Sequence, residues 1–225
     1  MVERMKTYRA AIFDLDGTLL DTLEDLANSG NELLASYGKP PYTVQEYRYL
    51  AGNGWRKLME RILPDASPEQ IDEALIRYKA IYEKCLVGKT KPYDGIPEAL
   101  SALRAKGVRL AVCTNKHISA AEVLLQKYFP TGLFDAVEGD RPGVPRKPDP
   151  AHVDILLEKL GVSPEETAYF GDSGVDMQTA TNARVLPVGV LWGFRDKDEL
   201  LENGAKILLS NPLELLDKVD FPNNR

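Results

Sequence analysis

A chain of 225 residues with 44% apolar and 28% charged positions has a globular balance and can bury one large core or two modest ones, which excludes a disordered or collagen-like polymer. Its 34 acidic against 28 basic side chains leave a formal charge of −6, and no basic face suggests a nucleic-acid partner. Apolar runs such as 10–13 and 188–192 stop far short of the roughly 20 residues that span a bilayer, and the first apolar stretch ends at Asp14 before a secretory segment can form, so no membrane partner and a cytoplasmic location are expected.

The first segment, 8–15, reads as a buried strand because it lacks strict alternation. The pattern then changes. Some seventy residues carry amphipathic helices, predicted at 22–37, 43–50, 54–63 and 68–86, punctuated by Gly-Lys-Pro-Pro at 38–41 and Leu-Pro-Asp at 63–65. From about residue 91 helices and strands alternate: helix 96–106, strand 108–113, helix 119–128, a weaker strand 133–137, helix 151–160, strand 167–170, helix 175–183, strand 185–191 and a weaker strand 206–209. This order predicts an α/β fold with a doubly wound parallel sheet, formed by residues 1–20 and 91–225, and an inserted α-helical cap domain over 21–90. The two segments that cross between them, near Leu20 and near Lys91 to Asp94, are placed to act as a hinge. Cys85 and Cys113 are the only cysteines and form no C-x-x-C, so neither a disulfide framework nor a thiolate metal site is expected. Cys113 is expected to pack in the core.

In open parallel sheets ligands bind beyond the carboxyl ends of the strands. Polar groups gather at three such ends: Asp14-Leu15-Asp16-Gly17-Thr18, Thr114-Asn115, and Gly171-Asp172-Ser173-Gly174-Val175-Asp176. Lys147 lies in the loop before the 151–160 helix. Alternation lets Asp14 and Asp16 face one side while Leu15 packs inward. An EF-hand calcium loop is excluded, since its glycine position holds Leu19 and its terminal glutamate position holds Asp25. Each piece alone has an ordinary reading. Asp-x-Asp-Gly is a common surface turn, Thr114-Asn115 a common strand end, and Asp172 a possible helix N-cap. Lys147 resembles any loop lysine, and by charge alone Arg141 or Arg146 would serve a phosphate as well. His117 and His152 read as helix-start or surface residues.

Taken in order, these motifs resemble the haloacid dehalogenase superfamily: Asp14-x-Asp16-Gly17-Thr18-Leu19 its first motif, Thr114 its second, Lys147 its third, and Asp172 with Asp176 its fourth. The helical insert is similar to the cap of the phosphoglycolate phosphatase group. The resemblance implies that Asp14 is the nucleophile and Asp16 the acid/base. It also implies that Mg²⁺ is held by Asp14, Asp172 and the Asp16 carbonyl, with Thr114, Lys147, Thr18 and Asn115 around the phosphoryl group. Asp176 and Ser173 would stand behind the ligands and orient Lys147 or metal-bound water. Such chemistry fits the residue types. A carboxylate can approach a phosphate dianion only with positive charge beside it, and Mg²⁺ suits an all-oxygen donor set.

Asp16 points away from dehalogenation, because a halide leaving group needs no proton. Sugar-phosphate mutases similar to this chain place a His in the cap, where this sequence has none, and no cap lysine among Lys39, Lys57, Lys79 and Lys84 has the context of a phosphonatase Schiff base. Hydrolysis of a small phosphorylated acid such as 2-phosphoglycolate is therefore expected, with sugar-phosphate phosphatase, pyrophosphatase or phosphomutase as alternatives. A receiver-like phospho-switch shares the acidic pocket, Thr and Lys but needs no helical insert. Substrate choice is expected in the cap, where Gly52-Asn53-Gly54 precedes a helix whose free amides could hold an anion, with Arg56 or Lys57 adding charge.

Overall fold

The structure, a computed structural model, describes residues 7–85 and 88–222. Leu86, the expected end of the fourth helix, lies outside the described residues.

Six strands form a parallel sheet: β1 (Ala10–Phe13), β4 (Arg109–His117), β5 (Ala136–Asp140), β6 (Thr167–Gly171), β7 (Leu186–Val190) and β8 (Ile207–Leu209). Their spatial order is β5-β4-β1-β6-β7-β8. β1 is paired on both sides, with Ala10 opposite Arg109 of β4 and opposite Thr167 of β6. The chain thus winds outward from β1 in both directions, leaving a crevice at the carboxyl ends of β1, β4 and β6.

Because both faces of the sheet are covered, its strands are apolar throughout rather than alternating. Ala11, Phe13, Val112 and Phe170 join one buried cluster; Ala10, Ile12, Cys113 and Tyr169 join another with Val153, Leu156 and Leu160 of α7 (Ala151–Leu160). Burial pushes the Cys113 thiol up to about 12, as a packing role requires. The predicted α/β order is present, with edges shifted by a few residues. One shift has chemical weight: the predicted 108–113 strand continues through Thr114, Asn115 and Lys116 to His117.

Between β1 and the rest of the sheet lie four helices, α1 (Leu23–Ser36), α2 (Val44–Leu50), α3 (Trp55–Ile62) and α4 (Pro68–Cys85). Thr43 begins α2 with a capping box to Glu46, which satisfies the amides a helix start leaves open. The two crossing segments pair with each other as short antiparallel strands, β2 (Leu20–Asp21) and β3 (Lys91–Pro92). Asp25 of α1 fastens the returning chain. Its carboxylate accepts from the Lys89 and Thr90 amides and from the Thr90 hydroxyl at 2.7–2.9 Å. A single hydrophobic cluster runs from the sheet through Leu19 and Leu20 into Leu33, Tyr47, Tyr78 and Tyr82 of the helical segment. The remaining helices are α5 (Ile96–Ala105), α6 (Ile118–Tyr128), α8 (Gly174–Asn182), α9 (Lys197–Glu202) and α10 (Leu215–Lys218). Among the described residues no helix is long and apolar enough to cross a membrane.

Candidate active site

The loop after β1 is closed on itself by the Leu19 and Leu20 amides, both donating to the Leu15 carbonyl at 3.0 Å. Leu15 is fully buried, which turns Asp14 and Asp16 toward the crevice. Gly17 has φ +83°, and a Cβ there would collide with the Asp172 carboxylate. Glycine is therefore needed twice at this position, for the backbone and for the approach. At the end of β6, Gly171 meets the Asp176 side chain just as closely.

These approaches gather carboxylates. One oxygen from each of Asp14, Asp172 and Asp176 lies within 4.8 Å of the others. Asp172 accepts from the Thr18 hydroxyl at 3.1 Å and from the Phe194 amide at 2.7 Å. Asp176 is more fully occupied. Ser173, the N-cap of α8, donates both its amide and its hydroxyl to Asp176 Oδ2, while Tyr169 and Lys147 donate to Oδ1. The N-cap is Ser173 and not Asp172.

Lys147 is a buried residue, unlike an ordinary loop lysine. Its ammonium lies 3.0 Å from Asp14 Oδ1 and 2.7 Å from Asp176 Oδ1 and also donates to the Cys113 carbonyl. Burial opposes its charge, but Asp14 and Asp176 outweigh burial and raise its pKa. The Asn115 side chain clasps the Lys147 peptide, accepting from its amide at 3.0 Å and donating to its carbonyl at 3.4 Å. Arg146 is instead paired with Asp140, and Arg141 with Glu138. Burial, then the Asp176 charge, push Asp14 well above its ordinary value and Asp172 up to about 7. Mutual repulsion among buried carboxylates of this kind leaves a demand for positive charge that Lys147 alone does not meet. The all-oxygen set of Asp14 and Asp172, with Asp176 behind them, fits a Mg²⁺ ion.

A cleft partly open to solvent is lined by Asp14, Asp16, Thr114, Asn115, Asp172 and Ser173 from the sheet side and by Gly52, Gly54 and Trp55 from the turn between α2 and α3 and the start of α3. Of the expected residues, Lys147, Asp176, Thr18, Asn53, Arg56 and Lys57 are not part of its lining. Thr18 is buried behind Asp172, its hydroxyl and carbonyl engaged by Asp172 and Trp192. Asn53 accepts from Arg61, and Arg56 pairs with Asp72 on the exposed side of α3. His152 begins α7 as expected but is buried rather than on the surface, with Nδ1 3.3 Å from Glu138. His117 stacks on Trp55.

Two charged cleft residues escaped the sequence reading. Lys116 places its fully buried side chain 2.9 Å from both Asp16 oxygens. Arg195 donates to the Ala51 carbonyl at 2.8 Å. Strand continuation past Cys113 was the available signal for Lys116, since residues 114 and 116 share a face in an extended chain; Arg195 had none, because the loop after β7 carries no recognisable pattern.

The haloacid dehalogenase-like hydrolase family model matches residues 11–190. A phosphoglycolate phosphatase of Agrobacterium fabrum is 38% identical over 193 residues, covering 83% of this chain and 82% of its own length. A phosphoglycolate phosphatase of Psychrobacter arcticus is 34% identical over 214 residues, covering 92% and 90%. A crystal structure from Lactobacillus delbrueckii subsp. bulgaricus, described as a candidate phosphoglycolate phosphatase, superposes with a TM-score of 0.89 at 32% identity, covering 95% of this chain and 98% of that one.

Proposed function

The chain belongs to the haloacid dehalogenase-like hydrolase family and is a phosphatase, and we propose that it hydrolyses 2-phosphoglycolate through a phosphoryl group carried on Asp14, with Mg²⁺ as its cofactor. The observation that carries this reading is the buried Lys147 ammonium, held at 3.0 Å from Asp14 and 2.7 Å from Asp176 beside a further carboxylate, Asp172. A lysine so placed cannot swing away, and it offsets charge where an anionic phosphate must meet an anionic nucleophile.

Asp14 Oδ1 accepts from the Leu15 amide at 2.7 Å, which fixes the carboxyl plane. Among the described residues no hydrogen bond reaches Oδ2, which leaves this oxygen open to phosphorus or to the metal. In the first step an Asp14 oxygen–phosphorus bond forms, the bond to the leaving oxygen breaks, and Asp16 supplies that oxygen with a proton. In the second, water attacks phosphorus, Asp16 takes its proton, and the aspartyl bond breaks to give inorganic phosphate. Thr114 and Asn115 border the phosphoryl position. Asp14, the Asp16 carbonyl and Asp172 would hold Mg²⁺, which supplies positive charge to the phosphoryl oxygens. The four helices α1–α4 act as a cap domain, covering the leaving group. Names of the two relatives support glycolate as that group.

A panel of small phosphomonoesters assayed with Mg²⁺ tests the reading. The highest kcat/KM is expected for 2-phosphoglycolate; a clear preference for a sugar phosphate or for pyrophosphate would overturn the substrate. Phosphorylation without turnover would overturn the hydrolytic cycle.

A further inference from the structure

Lys116 and Arg195 are two cations in one cleft, and the phosphoryl chemistry above uses neither. The Lys116 ammonium is fully buried between the Asp16 carboxylate, 2.9 Å from both oxygens, and the face of the Tyr82 ring, 4.7 Å from its centroid. Arg195 is also buried. Its Nη2 donates to Ala51, its Nε lies 3.3 Å from Glu199, and its guanidinium faces the Tyr49 ring. Nη1, however, is a buried donor without a hydrogen-bond partner. Leaving such a donor unsatisfied is costly, and a ligand oxygen would remove the cost.

We infer that Lys116 binds the carboxylate of the leaving group, with Arg195 Nη1 as the second donor; the inference rests on the proposed glycolate substrate and adds the residues that recognise it. Position is the main argument. Asp16 must touch the ester oxygen to protonate it, and in a phosphoglycolate the carboxylate carbon is only one methylene beyond that oxygen. Any such carboxylate is therefore carried to within reach of the ammonium already hydrogen-bonded to Asp16. On arrival it exchanges one buried carboxylate partner of Lys116 for another, so the ammonium is never left uncompensated. A neutral leaving group offers no such exchange. Gly52 lies beside Arg195, where a Cβ would come within 3.5 Å of Nη2, so the cap backbone closes the same corner without a side chain of its own. This moves specificity from Asn53 and Arg56, which are paired elsewhere, to a residue of β4 and one of the loop after β7.

The test compares kcat/KM for 2-phosphoglycolate with that for 2-hydroxyethyl phosphate, in which a hydroxymethyl group replaces the carboxylate. In the unaltered enzyme the ratio favours 2-phosphoglycolate. In Lys116→Met that ratio is expected to fall by about tenfold to a hundredfold, the scale of one charge-assisted hydrogen bond, chiefly through KM, and Lys116→Arg is expected to restore part of it. Equal losses on both substrates would overturn the inference and leave Lys116 as a counter-ion of Asp16, with the proposed function intact. No preference for the carboxylate substrate in the unaltered enzyme, alongside good turnover of another phosphomonoester, would overturn the proposed substrate and this inference together. Should Lys116→Met fail to fold, Arg195→Gln carries the same comparison, because it removes Nη1 and leaves the Lys116–Asp16 pair in place; an unchanged ratio there would likewise overturn the inference.

Discussion

Charge at the carboxyl end of β1 is held at a cost in stability, and that cost is measurable residue by residue. Burial and Asp176 push Asp172 from an ordinary value of 3.8 up to about 7. In the metal-free protein, between these values, the folded state therefore holds a proton that the unfolded chain has lost, and stability falls as pH rises through the window. Mg²⁺ must displace that proton in acid but not above the window. The rise in Tm on adding Mg²⁺ is accordingly expected to be larger at about pH 8 than at about pH 5.5; differential scanning fluorimetry at both pH values checks the sign. For Asp14→Asn the expected outcome is a loss of turnover exceeding roughly a thousandfold, because an amide does not attack phosphorus. Its metal-free Tm should be equal or higher, since a buried repulsive charge is gone. Reduced stability together with substantial residual turnover would count against both the nucleophile and the electrostatic account.

Elements matter here mainly for how closely they let side chains approach. Asp172 reaches Asp14 only because the turn after β1 has no Cβ at Gly17, where φ is +83°. Gly17→Ala is expected to cost about 1–3 kcal/mol in backbone strain and to weaken Mg²⁺ binding by displacing Asp172, checked by urea unfolding and by metal titration. At the crossing between sheet and helices, Asp25 accepts the Lys89 and Thr90 amides and is almost fully buried. Asp25→Ala should leave those donors unsatisfied at a cost of about 1–3 kcal/mol, with faster amide exchange localised to residues 89 and 90. Uniform exchange across the whole chain would instead mean that Asp25 supports global rather than local order.

For the whole molecule the decisive contact joins α2 to the loop after β7. Arg48 donates to the Gly193 and Phe194 carbonyls at 2.7 and 2.9 Å, and the Phe194 amide in turn holds Asp172. The contact of α2 with the sheet domain and the placement of Asp172 thus share one loop. Arg48→Ala is expected to lower kcat/KM roughly tenfold, on the scale of one or two lost charge-assisted hydrogen bonds, and to weaken Mg²⁺ binding; a mutant with normal Mg²⁺ affinity would uncouple the two.

The amino-acid sequence by itself determined the alternation of strands and helices, the helical insert after the first strand, and the gathering of Asp14, Asp16, Thr114, Asp172 and Asp176 at strand ends. Apolar runs, turn residues and chain order are local properties, and a parallel sheet converts chain order into a crevice with little further choice. Which charges remain available there was decided only by tertiary structure. Arg56 and Asn53 look as suited to an anion as any residues near the cap loop, yet Asp72 and Arg61 engage them. Lys116 looks like an ordinary strand-end lysine, yet it meets Asp16 from a hundred positions away in the chain. His152 reads as a helix-start or surface residue, and it does start α7, yet packing buries it against Glu138. Pairing depends on distances between segments remote in sequence, and in a buried site the nearest opposite charge wins because desolvation penalises every unpaired one.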